Sequence, residues 1–171
     1  MTQTLAEKIY QTSHLTGEFL LRSNVLSNEY FDKYLFESNP ELLNEIVIHL
    51  IDLIPPDTEL LAGLEMGGIP LATMLSYHTK IPCLFVRKKA KEYGTAKLAE
   101  GPTFDGRRVT VIEDIVTSGG QVVLSTNELR VRGAIIEHAI CVIDRESGGR
   151  ELLKENGINL HSQFTSSSFR V

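Results

Sequence analysis

Four short, largely apolar runs recur along the chain, at 60–64, 82–86, 108–112 and 139–143, and a last strand is expected at 158–164. Between them lie segments of helical periodicity, at 69–78, 119–132 and 152–156, and one polar, basic stretch at 87–103. Apolar side chains at consecutive positions cannot belong to a sheet wetted on one face, because such strands alternate. Continuous runs separated by helices specify a mainly parallel sheet covered on both sides. The fold class that follows is α/β, doubly wound, with flanking helices. In open sheets of this kind, ligands bind beyond the carboxyl ends of the strands. The residues of interest are therefore those that follow each run: Glu65–Gly68, then 87–91, 113–120, and Asp144 with Arg145.

The remainder fits around this core. A short helix is expected at 3–14. A second is expected at 40–54, where Asn39 can cap, Pro40 suits the first turn and apolar residues recur from Leu42 to Ile54. Residues 15–38 break the alternation and read as a small hood on a single domain spanning 1–171, with its core at about 40–165. The serine-rich end at 165–168 reads as a frayed terminus.

Charge and cysteine usage narrow the function classes. A formal net charge of −5 disfavours nucleic acid as a partner. The charge is uneven: residues 1–59 hold ten acids and three bases, whereas 80–97 hold six bases and one acid. No apolar run suits a membrane span, and the first residues lack the basic and apolar regions of a secretory signal. Cys83 and Cys141 sit in apolar runs, which fits buried thiols in a reducing, cytoplasmic setting. The five histidines show no metal-ligand spacing along the chain.

The most informative segment is Val109-Thr110-Val111-Ile112-Glu113-Asp114-Ile115-Val116-Thr117-Ser118-Gly119-Gly120-Gln121. A β-branched strand delivers two acids to the sheet edge, and a Thr-Ser-Gly-Gly turn then opens a helix. Small residues let backbone N–H groups approach an anion, hydroxyls add donors, and the helix dipole favours negative charge. Carboxylates do not suit phosphate oxygens; they suit ribose hydroxyls or a divalent cation. The ligand implied carries a phosphate and a sugar diol close together. The segment is neither a Walker loop nor a dinucleotide fingerprint.

This segment resembles the phosphoribosyl-pyrophosphate motif of the type I phosphoribosyltransferases, and nearly all of the chain resembles their orotate-specific members. The resemblance implies transfer of a 5-phosphoribosyl group to orotate in pyrimidine biosynthesis, with Mg²⁺ held mainly by substrate and no direct protein ligand. It implies a homodimer whose sites are shared across the interface. Glu113 and Asp114 would hold the ribose hydroxyls, and Ile115, Val116, Thr117, Ser118, Gly119, Gly120 and Gln121 would surround the 5′-phosphate. The island Arg87-Lys88-Lys89-Ala90-Lys91-Glu92-Tyr93 resembles the family's catalytic lid, with Arg87, Lys88 and Lys91 meeting the pyrophosphate. Lys91, Arg87, Lys88 and Asp114 are thereby the implied catalytic set. Tyr93 stands where many members carry His, and a phenol with a reference pKa of about 10 is no cation at neutral pH. The turn bearing Met66 and Gly67 resembles the pyrophosphate loop. Arg22, Tyr30 and Phe31 in the hood, with Thr117 and Arg145, would bind orotate, Arg145 through its carboxylate. Two alternatives stay open: the same fold acting on another base, and a non-catalytic sensor of phosphoribosyl pyrophosphate.

Overall fold

The structure is a computed structural model that describes residues 3–20, 24–89 and 98–169. Ahead of the hood lies helix α1 (Leu5–Ser13), where the Thr4 hydroxyl accepts the Glu7 N–H and the Glu7 carboxylate accepts that of Thr4. This reciprocal cap satisfies two donors that the first turn would otherwise leave unpaired. Strands β1 (His14–Leu20) and β2 (Leu26–Phe31) form an antiparallel hairpin, and a short helix α2 (Lys33–Glu37) leads away from it. Asp32 caps α2 by accepting the Tyr34 N–H.

Helix α3 (Pro40–Ile51) starts as its sequence predicts, with the Asn39 side chain accepting the Leu42 N–H at 3.1 Å. It ends three residues before the expected Ile54. Leu53 and Ile54 instead close turns onto Leu50 and Ile51, because a residue before proline is driven out of helical geometry and Pro55 follows. The core then runs β3 (Leu60–Leu64), α4 (Gly68–Thr79), β4 (Cys83–Val86), β5 (Ala99–Glu100), β6 (Arg108–Val116), α5 (Gly120–Val131), β7 (Ile135–Asp144), α6 (Gly149–Glu155) and β8 (Asn159–Thr165).

The sheet order is β5-β4-β3-β6-β7-β8, with only β5 antiparallel to its neighbour. The doubly wound, mainly parallel α/β architecture expected from the apolar runs is the one observed. Strands β6 and β7 extend well beyond their apolar stretches, since Glu113, Asp114 and Asp144 continue the ladder. Side chains alternate between two cores. Leu60, Ala62, Val109, Val111 and Cys141 pack with Val122, Leu129 and Leu153 on the α5/α6 side. Leu61, Ile112 and Ile140 pack with Ile46, Leu50, Leu71 and Leu75 on the α3/α4 side.

From β3 the chain winds to β4 in one direction, and from β6 it winds to β7 and β8 in the other. The strand order therefore reverses between β3 and β6, which are paired neighbours. A crevice opens at such a reversal because the connections on either side leave in opposite directions.

The serine-rich end is ordered, contrary to the frayed terminus expected. It forms a single 3₁₀ turn, Ser166–Phe169, whose Ser167 N–H donates to the Glu146 carboxylate at 2.8 Å. Phe169 packs its ring 5.7 Å from Phe164, 6.3 Å from Phe31 and 6.4 Å from Tyr10. Composition suggested fraying, but one aromatic residue beyond the serines anchors the segment.

Candidate active site

A cleft of about 410 Å³ lies at the β3/β6 reversal. Its walls are the β3–α4 turn (Glu65, Met66), the β6–α5 segment (Glu113 and Ile115 through Val122), Lys88 after β4, and Lys33 and Tyr34 from the hood. A second hollow of about 380 Å³ lies between α1 and the carboxyl-terminal turn, lined by Thr4, Glu7, Tyr10, Gln11, Ser168 and Phe169 among others. Its lining has no carboxyl end of a parallel strand and no glycine-rich strand-to-helix turn, so the candidate site is placed in the first.

The Thr-Ser-Gly-Gly turn joins the end of β6 to the head of α5. Thr117 and Ser118 are exposed to the cleft, and α5 starts directly behind them. Gly119 has φ +76°, and a Cβ there would stand 2.4 Å from Leu153 Cδ1 and 3.0 Å from the Gly149 carbonyl. Only glycine combines that conformation with that proximity to α6. The first turn of α5 carries no acidic residue, so its N-terminal field is not cancelled where an anion would sit. Gln121 lines the cleft and donates from Nε2 to Ser125 Oγ at 3.1 Å.

Opposite stands the pyrophosphate-loop candidate. Met66 projects into the cleft and is 60% exposed. The Glu65 carboxylate accepts the Lys88 N–H at 2.5 Å, tying this turn to the start of the basic island.

The two adjacent acids separate. Glu113 lines the cleft. Asp114 is buried, with no side-chain exposure, and its carboxylate lies beneath the Gly67 turn. Successive strand residues point to opposite faces, which explains the split. Asp114 Oδ1 accepts the Ile115 N–H at 2.5 Å, and Oδ2 stands 2.5 Å from Lys33 Nζ.

Burial works against the charge of Asp114, but hydrogen bonds from Glu113, Glu37 and Lys33 outweigh it and hold the carboxyl below its usual range. Burial also works against the Lys33 charge, and the contact with Asp114 more than compensates, raising the ammonium above an ordinary lysine. Burial and the neighbouring Asp114 push Glu113 well above the usual carboxylate range. The same two causes push Glu37 up to about 9. The cluster thus holds one firm anion, Asp114, against one cation, Lys33.

Other residues singled out from the sequence are placed less centrally. The Arg87 guanidinium is turned toward Glu100 of β5 at 3.6 Å and is not among the cleft-lining groups. Arg145 is exposed where β7 ends, its N–H donating to the Val116 carbonyl at 2.8 Å. Tyr30 is 43% exposed and packs against Phe19 with ring centroids 5.4 Å apart. Phe31 belongs to the aromatic cluster with Phe36 and Phe169 rather than to the cleft wall. Arg22, Lys91 and Tyr93 lie outside the described residues. The histidines, unpaired in sequence spacing, meet across β7 and β8: His138 Nδ1 stands 3.0 Å from His161 Nε2.

Sequence reasoning missed Lys33, Tyr34 and Glu37. One signal was available: Lys33 is one of only three bases in the first 59 residues, set among ten acids.

A model described as the phosphoribosyl transferase domain matches residues 38–160. A protein from a Nocardioides species, named orotate phosphoribosyltransferase, is 51% identical over 162 residues, covering 95% of this chain and 90% of its own. The crystal structure of Mycobacterium tuberculosis H37Rv orotate phosphoribosyltransferase in complex with Fe(III) dicitrate superposes with a TM-score of 0.88 at 26% identity, covering 98% and 97% of the two chains. The same Mycobacterium protein in complex with 5-phospho-α-D-ribosyl 1-diphosphate gives a TM-score of 0.82 at 24% identity, covering 96% of each chain.

Proposed function

The chain belongs to the orotate phosphoribosyltransferases, and from that premise we propose that its cleft binds phosphoribosyl pyrophosphate and passes the 5-phosphoribosyl group to N1 of orotate. The bond from C1 of the ribose to pyrophosphate breaks as the bond to N1 forms, giving orotidine 5′-phosphate and free pyrophosphate. One observation carries the reading: the exposed Thr117–Ser118 turn at the head of α5 and the Glu113 carboxyl line one cleft at the strand reversal.

In this reading the backbone N–H groups and hydroxyls of residues 117–121 hold the 5′-phosphate, which fixes the ribose at one end. The Glu113 carboxyl faces the ribose hydroxyls. The Met66–Gly67 turn and Lys88 face the pyrophosphate, where cations stabilise the charge that develops as it leaves. Orotate binds as an N1 anion, so the chain need not supply a strong base. Arg145 is the cation for its carboxylate, since a guanidinium can pair with a carboxylate through two bonds. Lys91 stabilises the leaving group, and Arg87 grips it together with Lys88.

Mg²⁺ is part of the proposal. Among the described residues, no three His, Cys, Asp or Glu side chains converge to hold a metal ion. Mg²⁺ would be carried chiefly by substrate oxygens, with no direct ligand from the chain; Glu65, which lines the cleft, would be a nearby carboxylate for its water shell. Such an ion neutralises pyrophosphate charge and orients the donor. A homodimer with shared sites and a cytoplasmic setting complete the reading. Among the described residues no helix is long and apolar enough to cross a membrane.

The test is to incubate the chain with phosphoribosyl pyrophosphate and orotate, with and without Mg²⁺, and in parallel with uracil or adenine. Mg²⁺-dependent loss of orotate with matching pyrophosphate release is the expected result. Turnover of another base with orotate untouched, or donor binding with no turnover of any base, overturns the reading.

A further inference from the structure

Glu37 is a buried acid to which the proposed reaction gives no task. It is 7% exposed, and its Oε1 is buried without a hydrogen-bond donor. Lys33 and Glu37 stand one turn apart on α2, so they share a face of that helix. Both address Asp114. Lys33 Nζ approaches Oδ2 at 2.5 Å, and the nearness of the two carboxyls raises Glu37 while holding Asp114 low. Glu37 Oε1 and Asp114 Oδ2 also crowd one point: a Cβ on Gly67 would stand 2.8 Å from the first and 1.6 Å from the second. Two buried carboxylates cannot face each other as acceptors only. A proton on Glu37 resolves the conflict, because its O–H then donates to Asp114 while Lys33 balances the charge.

We propose that Lys33 and Glu37 are positioning residues for the transfer reaction: from one face of α2 they grip Asp114, the ammonium on one side and a carboxylic acid on the other, and so fix the β6 acids and the Gly67 turn under the cleft. The kinetic part of this proposal rests on the reading of the cleft as the phosphoribosyl site. The clamp itself does not. The charged groups facing it are Asp32 and Lys33 from the start of α2 and Glu113 and Asp114 from β6; on the Gly67 turn, Glu65 is engaged by the Lys88 N–H.

Two measurements decide it. The first is urea unfolding of the wild type and Glu37→Gln between pH 5 and pH 9. The folded chain keeps a proton on Glu37 up to about 9, whereas the ordinary value is 4.5. Wild-type stability from this group is therefore present below the ordinary value and declines as pH rises toward the folded one. Glutamine donates a similar hydrogen bond and does not titrate. The ratio of the wild-type unfolding constant to that of Glu37→Gln should rise with pH, by up to about tenfold per unit. A ratio flat across this range overturns the carboxylic-acid clamp.

The second is steady-state kinetics. Glu37→Ala and Lys33→Met should each lower kcat by about 10²-fold, the scale of a small misplacement of reacting groups, with a smaller change in KM. Glu37→Gln should recover most of the loss. Wild-type kcat in either Glu37→Ala or Lys33→Met overturns the positioning role, and Lys33→Met carries this arm if Glu37→Ala does not fold. If the wild type consumes no orotate, the functional reading fails and the pH series alone judges the clamp.

Discussion

Replacing Arg150 with methionine should cost about 3 kcal/mol of folding stability, near the low end of what breaking a buried ion pair costs. Asp144 has a side chain only 2% exposed, and Arg150 faces it through Nε and Nη2, both at 3.0 Å. Arg150 Nη1 also donates to the Leu160 carbonyl at 2.7 Å, and Nη2 to Ser162 Oγ at 2.9 Å. Methionine keeps much of the bulk but leaves a carboxylate enclosed without its counter-charge. The Arg150 side chain is 44% exposed, so water reaches part of the site and the low end of the range applies. In urea, with a slope of about 2 kcal/mol per molar, the midpoint should fall by about 1.5 M at unchanged slope. Adding Asp144→Asn to Arg150→Met removes the stranded charge and should restore part of the loss. A loss below about 1 kcal/mol, the range of an exposed ion pair, would refute the burial argument. So would a double variant no more stable than Arg150→Met alone.

Gly67→Ala should destabilise the fold by about 2 kcal/mol or more and depress turnover, since the new methyl would stand 1.6 Å from Asp114 Oδ2 and force the buried carboxylates apart; a thermal melt and kinetics identical to wild type would contradict the packing described. Ser118→Ala should leave the melting temperature unchanged while raising KM for phosphoribosyl pyrophosphate by about tenfold, the scale of one hydrogen bond to a charged group. An unchanged KM would remove that hydroxyl from the phosphate site.

The central sheet was legible because burial on both faces leaves its mark at every position of a strand. Leu60 through Leu64 are all buried, and all are apolar or glycine. The Thr117–Gly120 turn was legible because Gly119 answers to a local requirement, a left-handed backbone against α6. The hood was not. Its hairpin carries exposed Leu20, Val25 and Leu26 beside exposed polar residues, so no period distinguishes strand from loop. The partner of Asp114 was hidden for another reason. Lys33 and Asp114 are 81 positions apart in the sequence and meet only through the packing of α2 against the core. Glu37 was invisible for the same reason, since an acid on a five-residue helix reads as solvated until Phe36 beside it is found fully buried. The pairing of His138 with His161 likewise follows from parallel strand register, which sequence spacing does not encode.

The aromatic joint at Phe169 sets an order of assembly. Phe31 of the hood packs against Phe36 nearby and against Phe169 at the far end of the chain, while Lys33 waits for a strand centred some eighty residues later. A chain emerging amino end first can form the hairpin and pack α2 on α1 and α3 early, but the hood cannot complete its contacts until β6 and then the Ser166–Phe169 turn have been made. Contacts this distant in sequence close late. The cleft is therefore completed only after both β6 and the Phe169 turn are in place, and a nascent chain still lacking that turn would carry the Thr117–Gly120 segment under a hood not yet fastened down.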